Sequence, residues 1–566
     1  MDPSKKSVET QVDEVQVESS NPAEHTMCTP PSPKDVSKEQ AQPTHTDGSF
    51  SAAEFKRYER MLKHSSTLTT MTSASTLGFD TEKSFKEASV TELGTSTPGR
   101  SRTTSKSTLS KTTLSTFTQP STLSVNAVPV PEKRQSRVVR NIRHVSFNVY
   151  RRLFSVIFIA NMIAFIVLLA KKRSASRISL SNISTAASAN IFVAIMIRQD
   201  YLVNSLYHFC WIVPHSAPLR LRRMLAKVYE NGGIHSGAAV AGTIWFILLT
   251  ALLTTQFIDG VLRSIPALTI AYVLLVLFVS IIFFAYPTLR GMSHNTFEYV
   301  HRFAGWISIG LFWAELILLA HAMASHTKTH IGLVLVKEPT FWFLIIITFH
   351  IILPWLLLRH VSFRPEKLSD HALRLHFDMD LAPFSGLAIS DSPLTEWHPF
   401  ATFPAVDGHG GSMIISDAGD WTKRTIANPS TRYWVKGVPK TGVLSMATVF
   451  RRCVIVTTGS GIGPCLSFLT DPRGARTSCR LLWSTPSPLQ TYGETIVRAV
   501  QSADPQAVIW DTRVSGRPDM VQITYQLFIE SGAEAVFVIS NPKLTRKIVY
   551  SMESRGVPAF GPIWDS

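Results

Sequence analysis

A glycine-rich stretch near the C-terminus is the first place where residue types and spacing could do chemistry. It reads CVIVTTGSGIGPCLSFL (453–469), which is typical of a buried strand, a turn and the start of a helix. Its pattern is Gly459-x-Gly461-x-x-Pro464, so a proline takes the last position of a GxGxxG turn. Glycine lets the backbone approach a pyrophosphate, and a helix N-terminus offers free N–H groups. The stretch therefore predicts a phosphate-binding turn; a tight turn without a ligand is the alternative.

Four further short motifs stand in a fixed order around this turn. EWHPFATFP (396–404) and GDWTKR (419–424) precede it, whereas GRPDM (516–520) and SNPKL (540–544) follow it. With this ordered series the chain resembles the flavin reductases of the ferredoxin-reductase superfamily. More narrowly, over about residues 150 to 566, it is similar to the membrane ferric reductases and NADPH oxidases. Within that group it most resembles the fungal TmpA-type integral membrane protein.

The resemblance implies that FAD binds to the two upstream motifs. In that family an HPF(T/S) motif contacts the flavin, so His398 would lie near its ribityl or phosphate groups and Phe400 would pack on its ring. Ala401 replaces the family's Thr or Ser, and Thr402 could supply the hydrogen bond that is lost. GDWT matches the family's pyrophosphate-binding turn at a helix N-terminus. The implied FAD-binding residues are His398, Pro399, Phe400, Thr402, Gly419, Trp421 and Thr422.

The resemblance places NADPH or NADH on the downstream motifs. Ser540 of SNP replaces a cysteine that lies beside the nicotinamide in the family, and Trp564 could take the role of a C-terminal aromatic shield over the flavin. Both are therefore predicted catalytic residues. The stretch WSTPSP after the second strand lacks an arginine for a 2′-phosphate, so the choice between the two nucleotides stays open. The implied nucleotide-binding residues are Thr458, Gly459, Gly461, Gly463, Pro464, Arg517 and Pro518.

Upstream of these motifs, six apolar runs have about the length that a bilayer requires of a helix. They span roughly 153–170, 183–214, 236–258, 266–286, 302–322 and 340–358. Basic segments before the first run, at 218–227 and at 359–367 predict that both ends of the bundle are cytosolic, although the loop 171–177 argues the other way. We expect the second run, which contains Arg198 and Asp200, to tilt or to end at the interface.

Two histidines near the ends of these runs predict a metal site. In the resembling family, histidine pairs on two helices hold two b-type haems, and here His235 and His301 would hold one inner haem at the cytosolic end. Polar residues at helix ends are the alternative. A second pair is missing, because leucines occupy 248–249 and Ala314 and Glu315 stand in the other helix. We therefore expect at most one haem.

Composition limits the remaining possibilities. The net charge of +16 is concentrated in the N-terminal region and at the membrane edges, which favours an anionic lipid partner over nucleic acid. Five scattered cysteines without CxxC spacing argue against a zinc site or a disulfide framework. The Ser/Thr/Pro-rich tail buries too little apolar surface to fold and is predicted to be disordered.

The expected fold is a six-helix transmembrane bundle followed by a small β-barrel FAD domain and a parallel-sheet α/β NAD(P) domain. The predicted boundaries are 1–135 for a disordered cytosolic tail, 136–360 for the bundle, 361–450 for the barrel and 451–566 for the nucleotide domain. The expected activity is electron transfer from NADPH or NADH through FAD to an unknown acceptor, at the plasma membrane. Relatives of the TmpA type are linked to asexual sporulation. A ferric reductase or superoxide-forming oxidase and a non-catalytic signalling protein are the alternatives.

Overall fold

The computed structural model describes residues 128–172, 178–405, 409–470 and 477–562, and all structural statements concern those residues. Most of the predicted tail, and Trp564, lie outside the described residues. Five of the described helices are long and apolar enough to cross a membrane, or up to six if one bent pair forms a single span. Each predicted apolar run therefore overlaps one or more helices of the structure.

The helices that precede the first strand lie in the segment for which the bundle was predicted. They are α1 (Arg137–Asn141), α2 (Val149–Lys172), α3 (Leu180–Met196), α4 (Asp200–Trp211), α5 (Leu219–Leu225), α6 (Gly232–Ile258), α7 (Ile265–Ala285), α8 (Pro287–Met292), α9 (His294–Tyr299), α10 (Gly305–Thr327), α11 (Ile331–Lys337) and α12 (Pro339–Leu356). α3 and α4 form the bent pair, with 70° between them. The second predicted run is therefore broken rather than one tilted helix, and Arg198 lies at the break.

Small residues allow α2 to pack closely against α6. A Cβ atom added to Gly237 would lie 2.8 Å from the carbonyl oxygen of Phe154, and one added to Gly233 would lie closer still to that of Tyr150. Only glycine permits this approach of two helix backbones. Farther along α6, Trp245 and Phe246 are buried against the neighbouring helices. The centre of the bundle is therefore a packed apolar core.

The strands that follow form the predicted barrel. They are β1 (Arg359–Ser362), β2 (Arg364–Lys367), β3 (Ala372–Phe377), β4 (Ser385–Ser390), β5 (His398–Pro404), β6 (Gly411–Ser416), β7 (Arg432–Val435) and β8 (Lys440–Thr441), with helix α13 (Asp420–Ala427) after β6. The antiparallel order is β1-β7-β4-β5-β6-β3-β2, β8 pairs with β4, and the sheet is nearly closed. Leu375, Met413 and Ile415 are fully buried inside it.

The C-terminal part of the chain is the predicted α/β domain. Its strands are β9 (Arg452–Thr458), β10 (Ser478–Thr485), β11 (Val508–Asp511), β12 (Ala535–Ile539) and β13 (Ala559–Phe560), and its helices are α14 (Ile462–Leu469), α15 (Pro488–Ala503), α16 (Met520–Glu530) and α17 (Pro542–Glu553). All pairs are parallel, in the order β11-β10-β9-β12-β13. The chain therefore changes direction across the sheet between β9 and β12, where such folds bind ligands.

The segment 218–227 does more than provide positive charge beside a membrane. In α5, the Arg222 side chain is 4% exposed, and its guanidinium donates to both carboxylate oxygens of Glu534 at 2.8 and 3.0 Å. It also donates to the carbonyl of Val449 at 3.0 Å. Sequence reasoning assigned these basic residues to topology alone, but part of the segment attaches the helical bundle to the nucleotide domain.

Lys227 forms a second attachment. Its ammonium lies 2.9 Å from Glu553 and 3.5 Å from Glu230, and His144 approaches Glu553 from the N-terminal arm at 3.3 Å. Burial alone would raise the pKa of Glu553, but Lys227 and His144 together lower it to about 2. The cluster joins two separate segments of the chain, the N-terminal arm and residues 227–230, to the end of α17.

We expect the stability that Glu553 contributes to disappear in acid. The folded pKa lies below the unfolded value of about 4.3, so this stability is present above that pH and is lost as the pH falls toward about 2. Glu553→Gln should lower the free energy of unfolding at neutral pH. That free energy should then fall less between about pH 5 and pH 3 than it does in the parent. The surface variant Glu494→Gln is the control, and equal acid sensitivity of Glu553→Gln and the parent would contradict the assignment.

Candidate functional site

The glycine turn lies at the C-terminal end of β9. Gly459 has a φ angle of +53°, which favours glycine, and its carbonyl accepts a hydrogen bond of 3.0 Å from the indole of Trp483. A Cβ atom on Gly461 would lie 2.5 Å from both the carbonyl oxygen of Ile539 and the hydroxyl oxygen of Thr457. The turn is thus held tightly against the end of β12. Pro464 lies in the first turn of the helix α14, which begins immediately after this turn.

Ser540 lies directly opposite the glycine turn. It follows β12, is 6% exposed, and its hydroxyl forms a short hydrogen bond with the hydroxyl of Thr458. Thr457 donates from its own hydroxyl to the carbonyl of Ile539 at 2.9 Å. The structure therefore brings Thr458, Gly459 and Ser540 together at the switch point, where the resemblance implies the nicotinamide.

The GRPD motif lies beyond β11, at the edge of the same sheet. Gly516 has a φ angle of +67° and accepts at its carbonyl a 2.9 Å hydrogen bond from Trp510. Asp519 caps α16 by accepting from the backbone N–H groups of Val521 and Gln522. Arg517 and Pro518 stand between these fixed points, and the Arg517 side chain is exposed. The arginine is thus presented to solvent at the carboxyl side of the sheet.

α14 joins the nucleotide turn to the barrel. The hydroxyl of Ser467 in α14 accepts a 2.8 Å hydrogen bond from the backbone of Phe384, just before β4. A Cβ atom on Gly463 would lie 3.7 Å from Ile414 in β6, which is ordinary contact distance. Gly463 thus contacts the barrel, and the two predicted cofactor regions meet along one helix.

The HPF motif occupies the start of β5. The ring of His398 stacks on that of Trp421 with centroids 3.9 Å apart, and Phe400 lies 6.0 Å from the same indole. Trp421 is 4% exposed and donates to Asp391 at 3.2 Å. The indole therefore packs into the barrel wall behind the motif, and any contact of Trp421 with a pyrophosphate would come from its backbone.

Two further residues of β5, Pro399 and Thr402, differ in their exposure. Pro399 is exposed, whereas Thr402 is 3% exposed and donates its hydroxyl to the carbonyl of Ser385 at 2.9 Å. The hydroxyl that sequence reasoning offered as a substitute for Ala401 is therefore engaged inside the sheet. Reaching a flavin would require it to break that bond.

Gly419 and Thr422 shape the N-terminus of α13. The hydroxyl of Thr422 accepts from the backbone N–H groups of Ala418 and Gly419 at 2.9 and 3.0 Å, and donates to the carbonyl of Gly419 at 2.8 Å. This arrangement fixes the entry of the chain into the helix and leaves the first N–H groups of α13 pointing outward along its axis. Such an end suits a pyrophosphate, so these residues fit the group that the resemblance implies.

Thr422→Ala should weaken FAD binding through the helix end rather than through direct contact. Loss of this cap is expected to cost about 1 kcal/mol, close to a fivefold rise in the dissociation constant. Flavin release from the purified protein, followed by fluorescence, measures the change. Thr422→Ser retains the hydroxyl and should behave like the parent; a serine variant as weak as the alanine variant would exclude the cap as the cause.

His235 and His301 lie side by side in the helical bundle. Their ring centroids are 6.0 Å apart, and Nδ1 of His235 donates to the carbonyl of Ala194 at 2.7 Å. Two imidazoles that share one metal at about 2 Å per bond have centroids roughly 6 Å apart. The bond to Ala194 leaves Nε2 of His235 free to coordinate. His235 and His301 are therefore the residues that would hold a haem iron, and groups of three or more potential metal ligands are absent from the described residues.

Positive charge surrounds this pair. Arg198, at the break between α3 and α4, and Arg290 both lie close enough to His301 to interact with it electrostatically. Asp200 lies two residues beyond Arg198, at the start of α4. Asp200 pairs with Lys440 of β8 at 3.0 Å, across the junction with the barrel.

Comparison with known proteins finds a family match in the C-terminal part of the chain. Residues 443–566 match the family described as the C-terminal domain of adenylate-forming reductase 03009. The chain is 46% identical over 437 residues to adenylate-forming reductase 03009 of Coprinopsis cinerea, and 45% identical over 440 residues to adenylate-forming reductase 06235 of the same fungus. Each match covers 77% of this chain but 42% of the relative. Both names agree with the predicted oxidoreductase class.

Among solved structures, the chain is similar to a ferredoxin NADP+ reductase from Neisseria gonorrhoeae with bound FAD and NADP. The sequence identity is 13% and the TM-score is 0.31, over 36% of this chain and 99% of the reductase. The chain also resembles, at 11% identity and a TM-score of 0.28, a ferredoxin-NADP+ reductase mutant from Plasmodium falciparum in complex with 2′P-AMP.

Proposed function

We propose that this protein is a membrane-bound oxidoreductase that passes electrons from a nicotinamide nucleotide through FAD to an acceptor at the membrane. The observation that carries the proposal is the position of α14. This helix begins at the glycine turn on the switch point of the parallel sheet and packs against the barrel that carries the HPF motif. One helix thus brings the two predicted cofactor regions together.

The nucleotide would be held mainly by backbone groups, with one positive charge beside them. The turn at Gly459 and Gly461 exposes the N-terminus of α14 to a pyrophosphate. Ser540 and Thr458 would border the nicotinamide, where their joined hydroxyls can reorient to donate to a carboxamide. Arg517 supplies the positive charge on the open side of the sheet for a phosphate or ribose.

The flavin would lie along β5 and the N-terminus of α13. His398 and Phe400 form an aromatic surface backed by Trp421, and the N–H groups after Gly419 are available to its pyrophosphate. FAD, when bound, accepts a hydride from a reduced nicotinamide and releases electrons singly or in pairs. The barrel residues bind and orient it.

The membrane part of the proposal rests on the apolar helices. Their length supports a multi-pass protein. Cytosolic termini and the plasma membrane as its site stay predictions. A single haem held by His235 and His301 would supply one-electron transfer at the end of the bundle next to the barrel. The role in sporulation stays a prediction.

The relatives support the reductive half of this proposal. Both are named adenylate-forming reductases, and the family match at residues 443–566 falls on the domain to which we assign the nicotinamide nucleotide. The chain spans 42% of their length, so the proposal assigns to it the reduction and leaves adenylation to the relatives.

The test is cofactor content together with turnover. Full-length protein purified in detergent should contain or take up one FAD and should reduce ferricyanide with NADPH or NADH. A folded sample that binds no FAD would refute the proposal and would favour the signalling alternative. A reduced-haem absorption band, lost in His235→Ala and His301→Ala, separates a haem-carrying reductase from one whose chemistry stays in the cytosolic domains.

A further inference from the structure

A cavity of about 350 Å³ lies where α10 and α12 meet the barrel. Its walls are the indoles of Trp306 and Trp355, three isoleucines and Thr348, and Leu394 of the β4–β5 connection closes one side. The volume falls within the range of small-molecule sites. The two indole rings meet edge to face, 5.7 Å apart. The cavity therefore combines flat aromatic surface with aliphatic surface.

The position of this cavity is as informative as its lining. Trp306 lies in the first turn of α10 and Trp355 in the last turn of α12, so the cavity lies at the ends of two apolar helices, and the candidate span His294–Thr327 begins before α10. Tryptophans at such ends mark the level of the lipid headgroups. A molecule dissolved in the bilayer could enter here without crossing water.

Lys436 links the Trp355 wall of the cavity to the residue before the proposed flavin strand. Lys436 holds its ammonium 5.2 Å from the ring centroid of Trp355 and 4.7 Å from that of Trp397. Trp397 immediately precedes His398, the first residue of β5. Burial of the ammonium, together with the nearby positive charges of Lys440 and Arg302, lowers the pKa of Lys436 to about 8. The carboxylates of Asp200 and Glu298 act in the opposite direction. The Lys436 side chain, which can release and regain a proton readily, therefore lies beside the Trp355 wall of the cavity.

The charges around the cavity favour a neutral occupant. Arg302 is engaged with the carbonyls of Leu394 and Thr395 at 3.1 and 2.6 Å, and it also faces Glu298 at 3.5 Å. Lys440 is paired with Asp200. Lys436 is therefore the cation left for a ligand among these described residues, and its two carboxylate neighbours oppose a phosphate. A flat neutral ring with polar oxygens and an apolar tail matches this lining better than a phospholipid.

We propose that this cavity binds a lipid-soluble quinone and that the quinone is the electron acceptor of the proposed reductase. The net reaction converts NAD(P)H, one proton and the quinone into NAD(P)+ and the quinol. The two carbonyl oxygens of the quinone each gain a hydrogen, and the nicotinamide loses a hydride. Lys436 stabilises negative charge that develops on the nearer oxygen, and the indoles stack on the ring. This assignment rests on the proposed function.

The first test measures binding without turnover. A short-tailed ubiquinone analogue is titrated into the purified full chain in detergent, without nucleotide, and tryptophan fluorescence is followed. Quenching should saturate, and Ile309→Trp, which fills the cavity, should abolish the saturable part. Ile346→Trp, on the outer surface of α12, is the matched control and should quench like the parent. Saturable quenching that is unchanged in Ile309→Trp would overturn the site.

The second test compares two acceptors. The parent should reduce the quinone analogue and ferricyanide with NADPH, and Ile309→Trp should lose roughly tenfold or more of the quinone rate while retaining the ferricyanide rate. Lys436→Gln should lower the quinone rate in the same selective way. Reduction of ferricyanide but not of the quinone would overturn this inference and leave the proposed function standing. Failure with both acceptors in FAD-loaded protein would refute the proposed function, and the fluorescence would still decide binding.

A phospholipid in the cavity would also be visible. Native mass spectrometry of the detergent-purified protein would then show a bound phospholipid that is absent from Ile309→Trp and is not displaced by the quinone analogue, and that result would overturn the assignment.

Discussion

Replacing Gly461 with valine should abolish reduction of the flavin by nucleotide while leaving the flavin bound. A Cβ atom at this position would lie 2.5 Å from the backbone oxygen of Ile539, which the β9–β12 pairing holds in place. The turn can admit a side chain only by moving away from β12, which would misplace the N-terminus of α14. A displacement of about 1 Å at such a site costs on the order of a hundredfold in rate.

The measurement is anaerobic bleaching of the flavin by NADPH, compared with bleaching by dithionite, which needs no nucleotide site. Gly461→Val should respond to dithionite alone. Gly463→Ala is the matched comparison, because its new Cβ would meet Ile414 at an ordinary 3.7 Å, and we expect a much smaller effect. Normal NADPH bleaching in Gly461→Val would show that the nucleotide does not depend on this turn.

Removing the guanidinium of Arg222 should loosen the nucleotide domain from the helical bundle. Arg222→Met leaves the carboxylate of Glu534 without its main partner and frees the carbonyl of Val449. Arg222 is buried, but the carboxylate of Glu534 is partly exposed, so we expect a cost of about 2 kcal/mol, below that of a fully buried pair. Glu534 also loses the hydrogen bond that is the main cause of its lowered pKa.

Hydrogen exchange over residues 449–453 reports this loosening directly, because Arg451 donates its backbone N–H to Glu534 at 2.8 Å. Exchange in Arg222→Met should speed up by roughly thirtyfold if the local cost reaches about 2 kcal/mol. Arg220→Met, which removes an exposed neighbour, should leave it unchanged. The double variant Arg222→Met/Glu534→Leu removes both charged groups and should recover much of the protection. Equal exchange in Arg222→Met and Arg220→Met would contradict the role of this pair.

The local elements of this protein could be predicted from the sequence because their patterns are strong. Buried runs such as CVIVTT and AVFVIS match β9 and β12, and the glycine turn lies where the spacing placed it. The break between α3 and α4 was missed, because an apolar run of sufficient length predicts one helix even when it contains Arg198. Hydropathy records composition, whereas the bend depends on packing against the barrel.

Side-chain partners across the chain were less predictable. Arg222 and Glu534 are 312 residues apart in sequence, and their types are equally typical of solvent-exposed positions. Thr402 was offered to the flavin from its neighbourhood in the motif, but strand geometry directs its hydroxyl to Ser385. The cavity beside Trp306 and Trp355 had no sequence signal beyond two tryptophans at helix ends. Each of these features depends on which elements meet, and one sequence contains little information about that.

The most direct test of the proposed function is the isotope effect on flavin bleaching. FAD-loaded full-length protein is mixed anaerobically with NADPH or NADH that carries deuterium on the transferred face of the nicotinamide C4, and the flavin absorbance is followed in a stopped-flow instrument. Hydride transfer from nicotinamide to flavin predicts rapid bleaching that is slowed severalfold by the deuterium. Bound flavin that is not bleached by either nucleotide would contradict the account.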